Sequence, residues 1–184
     1  MDKEVKAKLK AYAEAYAKMK LPGKDQKIIE SSFEESKKVN LYLKRSQDDY
    51  LLARAAKKII DDPDLRKQTE LPADYPNIFH WLIIISYYSM YHSATAAIAQ
   101  KRVKCKSHEA TIAGLAKHYG TSEELEFGFI KTLHSTYIDY IESGRDARRG
   151  AQYNVDIIYA ADDAFEVFEN AAKFIKRIKQ ILEE

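Results

Sequence analysis

The sequence predicts an all-α protein that forms a single helical domain over residues 1–184. Only 6 glycines and 4 prolines are present and no proline follows Pro76, which favours long uninterrupted helices. No segment alternates apolar and polar residues between turn residues, and no internal repeat is visible. A chain of this length can bury a core without disulfides or metals.

The first helix is predicted at about residues 2–20 and ends at Leu21-Pro22-Gly23. Its apolar residues recur every three or four positions, at Val5, Leu9, Tyr12, Tyr16 and Met19. We interpret residues 1–24 as an N-terminal extension of the bundle. A second helical region is predicted from about Asp25 to Asp61, with a break near Val39-Asn40. Residues 63–76 contain three of the prolines and are predicted to form a long polar loop.

The helix predicted from Asn77 to about Gln100 is apolar on all sides, which is typical of the central helix of a bundle. A membrane span is the alternative, because the stretch exceeds 20 residues. Six polar residues interrupt it, and they favour the buried helix: His80, Ser86, Ser89, His92, Ser93 and Thr95.

Three more helices complete the predicted bundle. Ser107 is the predicted cap of a short helix that reaches about His118 and is closed by Gly120. The capping box Thr121-Ser122-Glu123-Glu124 begins the next helix, and Ser143-Gly144 is predicted to end it. One face of that helix carries Phe127, Ile130, His134, Tyr137 and Ile141. The last helix is predicted from about Asn154 to Leu182, with an apolar stripe at Ile157, Ala161, Ala164, Phe168, Ala171, Ile175, Ile178 and Leu182.

An arginine-rich turn is predicted from Arg145 to Tyr153, directly before the last helix. Arginine side chains beside the free backbone N-H groups of a helix N-terminus suit a phosphate. Arg145, Arg148 and Arg149 are therefore candidate phosphate-binding residues. The alternative is that these arginines pair with surface carboxylates or cap the preceding helix.

Composition and motifs exclude several classes of function. The formal charge of +2 is too balanced for general attraction to nucleic acid, so a basic site must be local. The chain has no phosphate-binding glycine loop, dinucleotide fingerprint or nucleophile elbow. None of its five histidines follows a glutamate by three positions, as helical di-metal sites require, so we predict neither a metal site nor a cofactor. A single cysteine and an N-terminus without an apolar signal core predict a cytoplasmic protein.

Single residues outside the arginine segment also have candidate roles. Cys105 lies in the basic run Lys101-Arg102-Val103-Lys104-Cys105-Lys106, whose positive charge predicts a lowered thiol pKa and a reactive cysteine. The same basic run suits either a solvated connection between helices or contact with phosphates. We interpret His80 and His92 as structural residues in or near the core, and His108 as the more available histidine.

Four motifs in order resemble the HEPN superfamily (higher eukaryotes and prokaryotes nucleotide-binding domain), in particular its small stand-alone prokaryotic members. The resemblance covers about residues 45–182. The motifs are the run Tyr87-Tyr88-Ser89-Met90-Tyr91-His92-Ser93-Ala94, then His108, then Arg148 with Ala151-Gln152-Tyr153, and finally Ala171-Ala172-Lys173-Phe174-Ile175. The resemblance implies an up-and-down bundle of four to five main helices with an extra N-terminal helix, and a homodimer.

The resemblance also implies an RNA- or nucleotide-binding function. Superfamily members with an arginine followed four to six residues later by a histidine act as metal-independent ribonucleases across a dimer interface, some of them as toxins of toxin-antitoxin systems. In this chain Tyr153 stands where that histidine is expected after Arg148. With a pKa of about 10, tyrosine is a poor base for a 2′-hydroxyl, so binding is implied more directly than cleavage.

The catalytic candidates implied by the resemblance are Arg148, Tyr153 and His108. Two alternatives stay open. One is a non-catalytic dimerisation module that pairs with a nucleotidyltransferase. The other is a helical scaffold without a ligand, in which the arginines are structural.

Overall fold

The computed structural model describes residues 3–72, 77–121, 132–154 and 156–183. Over these ranges the chain forms eight α-helices and four two-residue strands, so the predicted all-α class is confirmed. The helices are α1 (Lys3–Lys20), α2 (Phe33–Ser36), α3 (Val39–Asp61), α4 (Pro63–Gln68), α5 (Asn77–Gln100), α6 (His108–Tyr119), α7 (Ser135–Tyr153) and α8 (Ala161–Glu183). The strands are β1 (Ile28–Ile29), β2 (Lys104–Cys105), β3 (Gly120–Thr121) and β4 (Leu133–His134).

The apolar helix α5 lies at the centre of the bundle, as predicted. It packs against α3, α6, α7 and α8. Because it is surrounded by helices, its side chains are buried on opposite faces, among them Leu82, Tyr87, Met90 and Ile98. In the part of the chain that the structure describes, no helix is long and apolar enough to cross a membrane.

Helix α7 continues through Gly144, so the predicted turn from Arg145 to Tyr153 is wrong. A Cβ atom on Gly144 would lie 2.6 Å from Met90 Cε, so the glycine lets α7 approach α5 closely. The three arginines therefore lie in the C-terminal half of α7. Backbone carbonyls, and not N-H groups, lack partners at that end of a helix, so the backbone part of the predicted phosphate site is also wrong.

Helix α8 begins later than predicted, at Ala161 instead of Asn154. Asp163 accepts the Ala160 N-H at 3.0 Å, which is the reciprocal bond of a capping box and fixes the helix start. Ile157, predicted on the apolar stripe, precedes the helix and is exposed. The rest of the stripe is largely confirmed, since Ala164, Ala171, Ile175 and Ile178 are buried.

The N-terminal third differs from the prediction in containing a strand. Ile28 and Ile29 form β1, which pairs with β2 in antiparallel register, Ile28 opposite Cys105. The predicted helical structure from Asp25 up to the break near Val39 is therefore largely wrong, whereas α3 begins at that predicted break. Helix α1 packs on α6, where the buried Tyr16 hydroxyl donates to Glu30 Oε1 at 2.9 Å and lies 3.1 Å from His118 Nε2.

Two further predictions concern connections. The loop predicted at residues 63–76 contains α4, because the Asp62 carboxylate accepts the N-H groups of Asp64 and Leu65 and Pro63 suits the first helical position. The predicted capping box after Thr121 and the apolar residues Phe127 and Ile130 lie outside the described residues. Thr121 itself belongs to β3, which runs parallel to β4.

Candidate functional site

Three helices bring aromatic and basic side chains together at one face of α5. Residue 91 follows residues 87 and 88 by four and three positions, and residue 92 follows residue 88 by four, so the four side chains project from one side of the helix. Ser107 caps α6 by accepting the Ala110 N-H at 3.1 Å, which makes the next residue the first of that helix. Helix α7 contributes one arginine. We call the group the Arg148 cluster: Tyr87, Tyr88, Tyr91, His92, His108 and Arg148.

Arg148 is a buried cation without a carboxylate partner among the described residues. The residue is 5% exposed. Nη1 donates to the neutral amide oxygen of Gln152 at 2.7 Å, and the buried Nε atom has no hydrogen-bond partner in the described part of the chain. Buried arginines are normally paired with an anion, so this arrangement requires an explanation.

Aromatic rings surround the Arg148 guanidinium. Its Cζ atom lies 5.5 Å from the ring centroid of Tyr87, 6.0 Å from that of Tyr88 and 5.6 Å from that of Tyr153. Such contacts contribute about 0.5–2 kcal/mol each and weaken towards about 6 Å. Moving the guanidinium from water into the protein interior costs on the order of several kcal/mol. The contacts with the rings therefore offset only part of this cost.

His108 is joined to the cluster through a hydrogen bond of 2.6 Å between its Nδ1 atom and the Tyr87 hydroxyl. Burial raises the pKa of Tyr87, although the charge of Arg148 opposes this, so the phenol keeps its proton. Burial and then the charge of Arg148 lower the pKa of His108, so the imidazole is neutral at pH 7. The phenol has no other acceptor among the described residues and donates to Nδ1. The hydrogen of His108 therefore resides on Nε2.

His92 holds its hydrogen on the opposite nitrogen. Its Nδ1 atom lies 2.6 Å from Oδ2 of Asp49 on α3. Because a carboxylate only accepts, Nδ1 donates and the neutral ring keeps its lone pair on Nε2. Burial lowers the pKa of His92, with Arg45 acting in the same direction and Asp49 opposing both.

The two histidines contact the same two tyrosine rings. The Tyr88 centroid is 6.1 Å from both imidazole centroids, and the Tyr91 centroid is 5.5 Å from His92 and 4.3 Å from His108. The sequence indicated a structural role for His92 near the core and gave no signal for Asp49. Asp49 lies on α3, 43 positions before His92, and the spacing of residues within a helix does not reveal contacts between two helices.

The structure separates the other predicted site residues by environment. Arg145 pairs with Asp146 at 2.9 Å and lies 4.0 Å from Glu142, so its charge is compensated within the chain. Arg149 is exposed and forms no ion pair with the described residues. Tyr153 is 71% exposed with its ring beside Arg148. Arg148 therefore lies beside Tyr153 and acts on the pKa of His108. The charge of Arg145 also lowers the pKa of His108, but its guanidinium is paired with acidic side chains, and Arg149 is exposed.

Cys105 is not the reactive thiol that its neighbouring lysines predicted. Burial raises its pKa to about 12. Its Sγ atom donates to the Ala110 carbonyl oxygen at 3.3 Å. The lysine side chains beside it in the sequence project to solvent, so desolvation of the thiolate decides the direction of the shift.

Among the described residues, no group of three or more His, Cys, Asp or Glu side chains has an arrangement that holds a metal ion. The polar groups of the Arg148 cluster are therefore one guanidinium, two imidazoles that carry their hydrogens on different nitrogens, and three phenols.

Comparison with known proteins finds no matching protein-family model, curated protein or solved structure.

Proposed function

We propose that the chain binds a phosphate group of RNA or of a nucleotide at the Arg148 cluster. The observation that carries the proposal is the buried guanidinium without a carboxylate partner in the described residues. A phosphate oxygen supplies the missing negative charge and accepts from Nη2, which has no hydrogen-bond partner among the described residues and, unlike Nε, is not among their buried atoms. The planar fork of arginine suits two phosphate oxygens at once.

His108 and Tyr153 support the same ligand. The Nε2-H of His108 is a second donor, because the Nδ1 atom is occupied by the Tyr87 hydroxyl. The charge of Arg148 acts on this ring and helps to lower its pKa. The exposed Tyr153 ring offers a stacking surface for a base, and such stacking is worth about 1–3 kcal/mol. Neither role requires tyrosine to act as a base.

The decisive experiment compares Arg148→Gln with Arg149→Gln. Both variants remove one positive charge from the same helix, at neighbouring positions, but only Arg148 is buried in the cluster. A charge-assisted hydrogen bond is worth about 1.5–3 kcal/mol, so we expect Arg148→Gln to weaken binding about 10- to 150-fold. Fluorescence anisotropy with a labelled single-stranded RNA, and with a labelled adenine nucleotide, measures the change.

For Arg149→Gln we expect less than about a threefold change, because an exposed charge contributes little. Equal losses in the two variants indicate general electrostatic attraction and reject the site. Absence of binding to both probes by the unmodified chain rejects the function. Thermal unfolding followed by circular dichroism shows whether Arg148→Gln still folds.

A non-catalytic interaction module is the second candidate, and exposed apolar side chains favour it. Tyr159 contacts His80 with ring centroids 5.6 Å apart, and the residues next to this contact, Ile158 and Trp81, are 76% and 55% exposed. Such a surface suits a second copy of the chain or a nucleotidyltransferase. If a homodimer uses it, Ile158→Asp dissociates the dimer in sedimentation-velocity runs, whereas an unchanged sedimentation coefficient rejects that interface.

A further inference from the structure

We infer that a groove between α3 and α8 binds a compact organic anion, that is, an aromatic or aliphatic body that carries one acidic head group. The groove shares no residue with the Arg148 cluster, and the inference does not depend on the binding of RNA or a nucleotide there. It depends on the shape of the groove, on its apolar surface and on two cations without an acidic partner in the described part of the chain.

The groove exists because α3 and α8 both pack on α5 and contact each other much less. Its volume is about 530 Å³, within the range of about 300–1,000 Å³ that is typical of small-molecule sites. We call it the α3–α8 groove. It is lined by Leu51, Arg54, Ala55, Lys57, Lys58 and Asp61 of α3 and by Phe168 of α8.

Apolar side chains supply a contact surface for the body of the ligand. The Phe168 ring stacks on Tyr50 with the centroids 5.3 Å apart and the planes at 13°, so its position is fixed. Leu51 is 57% exposed, and Ala55 lies exposed one turn later on the same face of α3. A hydrocarbon or aromatic body that covers these residues removes their apolar surface from water, which favours binding.

Two cations at the α3–α8 groove lack a compensating charge. Lys57 is paired with Asp61 at 2.6 Å, and its Nζ atom lies 4.1 Å from the Phe165 ring centroid. Neither Arg54 nor Lys58 forms an ion pair with a described residue. These two are four positions apart on α3, so their like charges repel each other. An acidic head group that contacts both side chains relieves this repulsion.

Helix position accounts for only one of the two charges. Lys58 lies in the last turn of α3, where the helix dipole favours a cation. Arg54 lies a turn earlier, beyond the reach of that effect. Its charge is therefore the better evidence for an anionic ligand.

Carboxylates at both ends of this basic surface limit the size of the ligand. Asp48 precedes Leu51 by three positions and Asp62 follows Lys58 by four, so both lie on the same face of α3 as the groove. A polyanion such as RNA would extend onto these carboxylates and be repelled. A single head group on a compact body avoids them.

The test uses the full chain and two fluorescent probes with the same ring system. One is 8-anilinonaphthalene-1-sulfonate, which carries one negative charge, and the other is its uncharged analogue N-phenyl-1-naphthylamine. We expect the sulfonate probe to bind at a single saturable site and more tightly than the analogue. Thermal unfolding followed by circular dichroism shows that each variant is folded.

The double variant Arg54→Gln with Lys58→Gln tests the charges. We expect it to weaken binding of the sulfonate probe about 5- to 30-fold and to change binding of the analogue less than about twofold. The matched control is Lys6→Gln with Lys10→Gln, which removes the same charge from two exposed positions, also four apart, on α1. For this control we expect less than about a twofold change with either probe.

Leu51→Ala tests the apolar surface. It shortens an exposed side chain, so we expect the fold to be retained and both probes to bind about two- to fivefold more weakly. Full affinity of both probes in this variant overturns the assignment of the apolar surface.

The outcomes distinguish this site from the other surfaces of the molecule. Absence of saturable binding, or an analogue that binds as tightly as the sulfonate probe, overturns the inference. Equal losses in the two double variants show general electrostatic attraction and also overturn it. Loss of the sulfonate probe in Arg148→Gln or Ile158→Asp, with full affinity in the Arg54 and Lys58 double variant, places the probe elsewhere and rejects the α3–α8 groove. None of these results bears on RNA or nucleotide binding by Arg148, which the anisotropy measurements decide separately.

Discussion

Three arginines within five positions of α7 occupy three different environments. Arg145 is paired with Asp146, Arg148 is buried among aromatic rings, and Arg149 is exposed. Arg149 differs from Arg148 because it lies on another face of the helix, whereas Arg145 shares a face with Arg148 and differs because Glu142 and Asp146 lie close to it. The sequence predicted a basic site at these three arginines. Only the packing of α7 on α5 shows that Arg148 is the buried one without a carboxylate partner among the described residues.

At the same scale, the tautomer of His108 depends on one hydroxyl group. Tyr87→Phe removes the donor to Nδ1, so the neutral imidazole loses its preference for Nε2-H and we expect a mixture of tautomers. The nitrogen chemical shifts of His108 in a two-bond proton-nitrogen correlation spectrum report this directly. The control is Tyr88→Phe, which lies next in the chain and whose hydroxyl has no hydrogen bond to the described residues. Unchanged His108 shifts in Tyr87→Phe contradict the assignment.

At the scale of elements, α5 and α6 were predictable because their signals are local. The all-round apolar pattern located α5, and Ser107 located the start of α6. Gly144 misled the prediction, since a glycine that ends a helix and one that permits close packing look alike in the sequence. The same limit hid the contact of His92 with Asp49, which depends on how α3 meets α5.

The close contact between α7 and α5 gives a stability prediction. Gly144→Leu places a Cβ atom 2.6 Å from Met90 Cε and brings three further carbon atoms into the same fully buried contact, which a shift of the flexible methionine end cannot accommodate. Overpacking costs about 1–3 kcal/mol, which outweighs the gain of about 1 kcal/mol in helix propensity. We expect a lower free energy of unfolding in urea. Ser143→Ala, at the exposed neighbouring position of the same helix, is expected to change it by less than about 0.5 kcal/mol.

At the scale of the whole molecule, stability is expected to depend on pH through three histidines. Burial lowers the pKa values of His92, His108 and His118 from the ordinary 6.5. The unfolded chain therefore binds more protons than the folded chain just below pH 6.5, and acid favours unfolding there. The contribution is complete above pH 6.5 and decreases as the pH falls through the lower folded-state pKa values.

Urea unfolding at pH 7.5 and pH 5.5 tests this dependence. We expect a smaller free energy of unfolding at pH 5.5, with part of the difference removed in His118→Gln. The carboxyl groups whose pKa values are lowered, such as Glu30 and Glu142, act in a separate window below about pH 4.5. Equal stability at the two pH values contradicts the buried, neutral state of the histidines.

The short ladder between β1 and β2 constrains the order in which the chain assembles. It joins Ile28 to Cys105, and the neighbouring Lys106 N-H donates to the Lys27 carbonyl oxygen at 2.8 Å. Forming it closes a loop that contains α2 to α5, which costs chain entropy, whereas each helix forms from local contacts within microseconds. During refolding, the Lys106 amide should therefore gain protection from hydrogen exchange after the amides of α5. The segment that follows α1 and contains β1 is accordingly expected to reach its final position later than the helices.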